Sequence, residues 1–136
     1  MDTKRWILQL SNTLNGRFVE YTNDKGIILI PTEGNNFQIV ISQLIEKNGA
    51  MLLELFSKVG ELSADRDNHQ VILTINQDLF HSRIMIKEYQ LIVTAEVLLQ
   101  NCTEELLREV ILEVSTIAYH LDHQEVSLPH EEALSI

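Results

Sequence analysis

Cysteine, proline and glycine are scarce in this sequence, with one cysteine, two prolines and five glycines among 136 residues. The single Cys102 cannot close a disulfide within the chain, so no disulfide framework holds the fold and a cytoplasmic address is the expectation. Long apolar runs are missing too. Segments such as Ile27 to Ile30 are far too short to span a bilayer. The opening Met1-Asp2-Thr3-Lys4-Arg5 is not followed by a long apolar stretch and a small-residue cleavage site, so no signal peptide is expected. There is no Gly-rich phosphate loop, no Ser-centred nucleophile elbow and no aspartate cluster spaced for calcium.

Positive charge is also in short supply, and it is unevenly placed. Ten Lys and Arg face twenty Asp and Glu, a net charge of −10. Residues 1–87 hold nine of the ten cations against ten acids; residues 88–136 hold ten acids and only Arg108, which leaves 1 − 10 = −9. No basic run exists from which a phosphate-binding patch could be read, so neither nucleic acid nor a membrane is expected as a partner.

What the chain does have is apolar residues, 45% of the total, in patterns that change period along its length. Trp6, Ile7, Leu10 and Leu14 recur at helical spacing behind Thr3 as a cap, and Asn15-Gly16 supplies a stop. Arg17 to Thr22 and Gly26 to Pro31 read as strands around the turn Asn23-Asp24-Lys25-Gly26. A further turn, Thr32 to Asn36, uses Gly34. Phe37, Ile39, Ile41 and Ile45 then alternate with Gln38, Ser42 and Glu46, and Met51, Leu53, Leu55 and Val59 alternate in turn. Asn48-Gly49 between the two runs predicts a type I′ hairpin, in which both central residues take positive φ.

Ser63 to Asn68 reads as a polar loop containing Asp65-Arg66-Asp67-Asn68. The next segment is ambiguous: Val71, Ile72 and Ile75 suit a strand, yet with Leu79 they also fall on one helical face. Arg83 to Lys87 and Gln90 to Val97 predict a second hairpin about Glu88-Tyr89. The last element is an amphipathic helix over about residues 103 to 121. Its apolar stripe is Leu106, Leu107, Val110, Ile111, Val114, Ile117, Ala118 and Leu121, and either Asn101, paired with Glu104, or Thr103 is its cap. Residues 1–123 are expected to form a single α+β domain and 124–136 an acidic polar tail containing Pro129.

This order of helix, antiparallel strands, short helix, hairpin and long helix resembles the type III secretion chaperone-like superfamily, including the bacterial sensory-transduction-regulator-like domains. The resemblance spans about residues 3 to 122. Its most telling pieces are Ile72-Leu73-Thr74-Ile75-Asn76-Gln77-Asp78-Leu79, Ser82-Arg83-Ile84-Met85-Ile86, Gln90-Leu91-Ile92-Val93 and Thr103-Glu104-Glu105-Leu106. It implies an α+β fold, an antiparallel β-sheet with an N-terminal helix, a short middle helix and a long C-terminal amphipathic helix. It also implies a helix in the ambiguous segment near Ile75, and a small, acidic, often dimeric module that binds partner polypeptides without catalysis.

Candidate chemistry is thin. His120 and His123 stand three apart and are near enough to share a metal, with Glu113 and Glu125 as nominal further ligands. The plainer reading places both histidines at a helix C-terminus, where their donors meet unsatisfied carbonyls, and no metal or cofactor is expected. Cys102 lies near a helix start but among Glu104 and Glu105, whose field opposes a lowered thiol pKa. The apolar surplus is more informative. A sheet covered on one face needs one apolar set per strand, but the opposite parity also carries Val40, Leu44, Leu52 and Phe56, and the last helix has Leu112 and Tyr119 on its otherwise polar side. Those six residues are the candidates for a dimer seam or a partner's groove. The favoured reading is a non-enzymatic protein-binding module, chaperone-like or regulatory, acting as a homodimer that captures an unidentified protein. The alternative is a small ligand-binding or metal-dependent enzyme on a helix-backed sheet.

Overall fold

A computed structural model describes residues 3–20, 24–32, 36–61, 66–88 and 90–122. Residues 21–23 and 33–35, which hold the end of the expected first strand and parts of the expected turns 23–26 and 32–36, lie outside the described residues, as do Tyr89, His123 and the tail 124–136. Lys25 and Gly26, expected in the first turn, begin the second strand. The elements, in order, are α1 (Thr3–Thr13), β1 (Arg17–Glu20), β2 (Lys25–Pro31), β3 (Phe37–Lys47), β4 (Ala50–Glu61), α2 (Arg66–Asp78), β5 (Arg83–Lys87), β6 (Gln90–Leu98), a 3₁₀ turn at Leu99–Asn101, and α3 (Glu104–Asp122). The strands form one six-stranded sheet in the order β1-β2-β3-β4-β6-β5, with every neighbouring pair antiparallel.

Local chemistry explains most of the boundaries. α1 stops where Asn15 turns to a φ of 59° and the Gly16 N–H donates back to the Ser11 carbonyl at 2.6 Å. A Cβ at Gly16 would collide with the Leu29 carbonyl, so the chain can fold back against β2 only with glycine there. The β3–β4 turn is the type I′ hairpin that Asn48-Gly49 predicts: φ is 52° and 82°, and Lys47 pairs with Ala50. Gly60, at φ 135°, carries β4 through a bulge where its register against β6 shifts. Of the two caps open for α3, Thr103 is the one in use, its Oγ1 accepting from the Leu106 N–H at 3.1 Å. The ambiguous segment is helical. Its helix begins at Arg66, so Arg66 to Asn68, expected as loop, form its first turn; polar composition is as compatible with a first helical turn as with a loop.

All three helices pack on one side of the sheet. The core joins Ile7 and Leu10 of α1, Ile72 and Ile75 of α2 and the α3 stripe to strand residues that include Ile28, Val40, Leu55 and Val93. The α3 stripe is close to the expected one, with Leu107, Val110, Ile111, Val114, Ala118 and Leu121 buried and Leu106 and Ile117 packed at its margin. Val114 is completely inaccessible.

The register then fixes which residues lie on the other side. Ile41 pairs with Phe56 and Ser42 with Leu55, so odd positions of β3 share a face with even positions of β4. Val40 and Leu44 therefore belong to the helix-covered face, and not to a surplus set: Val40 is 0% exposed in the core, opposite Ile28, and Leu44 packs against the same cluster. The run Phe37, Ile39, Ile41 and Ile45 is the one that faces away from the helices. The covered face of β3 carries Gln38 and Ser42 instead. Gln38 is accommodated because its Nε2 donates to Ser57 Oγ at 2.9 Å, and Ser57 Oγ donates to the Ile39 carbonyl at 2.5 Å.

Candidate protein-binding face

The uncovered side of the sheet is built from Ile27 and Leu29 of β2, the odd positions of β3, Leu52 and Phe56 of β4, Met85 of β5, and Ile92 and Leu98 of β6. Phe37 is 54% exposed and Ile39 49%, and Val19, Met85 and Leu98 are also exposed. Leu52, at 9%, is buried but stands outside the core cluster, between its register partners Ile45 and Leu98. Among the described residues, no helix lies over these side chains. Near the middle of this face is a depression of about 380 Å³ whose lining includes Phe56 and Ile92 together with Lys25, Lys58, Lys87, Glu54 and Glu88.

The same alternation sorts charge. Arg17, Lys25, Lys47, Lys58, Arg83 and Lys87, six of the chain's ten cations, fall on the uncovered face. Glu54 and Glu96 share it, and Glu96 lies 3.9 Å from Lys47 and 3.7 Å from Arg83. On the helical side, Glu104, Glu105 and Glu109 of α3 are exposed. A chain of net charge −10 thus carries six of its ten cations on one sheet face. The patch is assembled across strands, one or two residues from each of β1 to β5, so no basic run betrays it in the sequence.

The last two candidates sit elsewhere. Leu112, 37% exposed, and Tyr119 line a second concavity of about 220 Å³ with Ile30, Pro31, Thr116 and His120. It lies between α3 and the end of β2. The six candidates therefore divide into three places: Val40 and Leu44 on the covered face, Leu52 and Phe56 on the open face, and Leu112 and Tyr119 on the outer side of α3.

The titratable residues considered for chemistry have other surroundings. The Tyr119 and His120 rings meet edge to face with centroids 5.7 Å apart. Glu113 is engaged by the loop between α2 and β5. Its carboxylate accepts from the backbone N–H groups of Phe80 at 3.0 Å, His81 at 2.9 Å and Ser82 at 2.7 Å, and from the Ser82 hydroxyl at 2.5 Å. Burial pushes this carboxyl up, but the Ser82 hydroxyl and the three backbone donors outweigh it and hold Glu113 below the ordinary glutamate range. Cys102 is buried, which raises its thiol pKa, as expected of a small structural residue. Among the described residues, no three His, Cys, Asp or Glu side chains are grouped closely enough to hold a metal.

Solved structures share this fold. A chain in the crystal structure of the Yersinia pestis type III secretion chaperone SycH in complex with a stable fragment of YscM2 superimposes with a TM-score of 0.58 at 15% identity, over 86% of this chain and 97% of that one. A chain in the heterodimeric ExoU–SpcU complex from the type III secretion system of Pseudomonas aeruginosa gives a TM-score of 0.59 at 14% identity, over 87% of this chain and 93% of that one. This is the type III secretion chaperone-like fold. At such identity the likeness establishes architecture alone. No protein-family model matches the sequence, and no curated protein matches it. Among the described residues, no helix is long and apolar enough to cross a membrane.

Proposed function

We propose that this chain is a non-enzymatic, chaperone-like or regulatory protein-binding module of the cytoplasm, which holds a partner polypeptide on its open sheet face and acts as a homodimer. One observation carries the reading: a full set of strand-borne apolar side chains, from Ile39 and Ile41 through Phe56 to Ile92, faces away from every described helix. An apolar surface of that extent is costly to leave in water and usually marks a contact. The solved structures that share the fold are of a chaperone in complex with a fragment of another protein and of a heterodimeric complex, which fits the reading. The outer side of α3, with Leu112 and Tyr119, is the place left for a dimer seam, because the open face is then free for the partner.

Affinity capture from the native cytoplasm with the wild-type chain and with Phe56→Glu tests this. Proteins held by the wild type and released by the variant support the reading. An identical captured set from both chains would remove the open face from it.

A further inference from the structure

We infer that the segment held on the open face is itself acidic: an apolar stretch of partner polypeptide whose polar positions carry Asp and Glu. The inference rests on the protein-binding reading above and names the chemistry of the partner. Strand alternation places six cations, Arg17, Lys25, Lys47, Lys58, Arg83 and Lys87, around the apolar residues of this face, against three carboxylates on described side chains, Glu54, Glu96 and, at the end of β5, Glu88. Lys25, Lys58 and Lys87 border the central depression with Glu54 and Glu88, beside Phe56 and Ile92, so an apolar side chain seated there brings its neighbours near more ammonium groups than carboxylates. A ligand with lysines at those positions would meet like charge, and desolvating such pairs is strongly unfavourable.

The same charges argue against other occupants. Two copies joined symmetrically through this face would bring together two surfaces that each carry more cations than carboxylates. A lipid surface or a nucleic acid presents continuous anionic charge over an area wider than the face. The rest of the chain would oppose it, since ten cations and twenty acids with six cations on this face leave the remainder far more negative than −10. Discrete cations interleaved with Glu54, Glu88, Glu96 and Gln43 suit the spaced carboxylates of a polypeptide better.

Fluorescence anisotropy with two labelled synthetic peptides distinguishes the possibilities. Both carry the same alternating Leu and Val, with Glu at the polar positions of one and Lys at those of the other. The full chain is expected to prefer the acidic peptide by about tenfold or more at low salt, and the preference should shrink as salt rises. Lys58→Glu/Lys87→Glu should reverse the order. Lys58→Gln/Lys87→Gln should abolish the preference without reversing it, and serves as the reading if the doubly acidic variant fails to fold. Tighter or equal binding of the basic peptide by the wild type would overturn the charge inference while leaving a protein-binding face. Failure of both peptides to bind would overturn the inference and the protein-binding reading together. Co-sedimentation with phosphatidylserine vesicles, lost in the doubly acidic variant and unmatched by any binding of the acidic peptide, would assign the face to a lipid surface and overturn the proposal. So would a mass that grows with protein concentration and falls in that variant, which would place the acidic α3 of a second copy on the face.

Discussion

Leu55 and Phe56 are adjacent in β4 yet lie on opposite sides of the sheet, Leu55 fully buried against the helices and Phe56 half-buried among the open-face residues. Charged substitutions at the two positions should therefore behave differently. Leu55→Asp places an unpaired carboxylate in the core and should cost about 4 kcal/mol or more. Phe56→Asp leaves its charge within reach of water and should cost about 1 kcal/mol or less. Thermal denaturation of the two variants decides the matter, and comparable destabilisation by both would contradict a one-sided sheet.

The loop between α2 and β5 is tied to α3 by the Glu113 carboxylate, and the tie depends on its charge. The folded-state pKa of Glu113 lies below its ordinary value of 4.5. Its contribution is thus fully present above that value and is lost as pH falls through the lower, folded-state one. Glu113→Gln keeps one acceptor oxygen but loses the charge and the second oxygen, and should cost about 1–3 kcal/mol at neutral pH. Stability measured by urea denaturation between neutral pH and pH about 3 should fall more steeply for the wild type than for this variant once below 4.5. Parallel curves for the two chains would show that Glu113 carries no such tie.

Asn76 couples α2 to β5 in a complementary way. Its Nδ2 donates to the Ile84 carbonyl at 3.1 Å, and its Oδ1 accepts from the Ile84 N–H at 2.6 Å. One amide thus replaces a neighbouring strand for that residue of the edge strand. Asn76→Asp retains the acceptor but not the donor, and Asn76→Leu removes both and leaves the half-buried Ile84 backbone groups unpaired. Losses of about 1 and about 2–3 kcal/mol respectively are expected. Hydrogen exchange at the Ile84 amide is the direct check: it should be protected in the wild type and exposed in Asn76→Leu.

Much of this architecture was legible because local signals agreed with the fold. Asn15-Gly16, Asn48-Gly49 and the α3 stripe each carried their own evidence. The face assignment of β3 was harder, because its covered side bears Gln38 and Ser42 while its open side is wholly apolar at Phe37, Ile39 and Ile41. Hydrophobicity alone therefore points to the wrong side, and the polar pair Gln38–Ser57 is affordable only through contacts distant in sequence. The information was nonetheless present in the turn: a two-residue hairpin that pairs Lys47 with Ala50 puts odd β3 positions opposite even β4 positions. Fixing that parity places Ile41 with Phe56 and Val40 on the side of Leu55. The basic face was invisible for a different reason, since it draws single cations from strands that only the sheet brings together.

The proposed dimer seam on α3 makes the last prediction. Leu112 and Tyr119 are two turns apart on the outer side of this helix and border the same concavity. A two-fold seam uses one patch twice, so a single substitution acts on both halves. The exposed Glu105 and Glu109 lie on the same helix, and residues 88–136 carry 1 − 10 = −9, so two such helices repel as they approach. Screening weakens that repulsion, and association should therefore strengthen as salt rises from about 0.05 to 0.5 M. This is opposite in sign to the salt response expected at the open face, where an acidic ligand is attracted, so the two surfaces can be separated in one preparation. Leu112→Asp and Tyr119→Asp should each shift the chain to monomer by adding a carboxylate to both sides of the seam, and neither should alter peptide binding at Phe56. Light scattering across protein and salt concentrations provides the measurement. A monomer mass at the highest soluble concentration, in both low and high salt, would eliminate the dimer, and a dimer indifferent to both substitutions would move its seam away from α3.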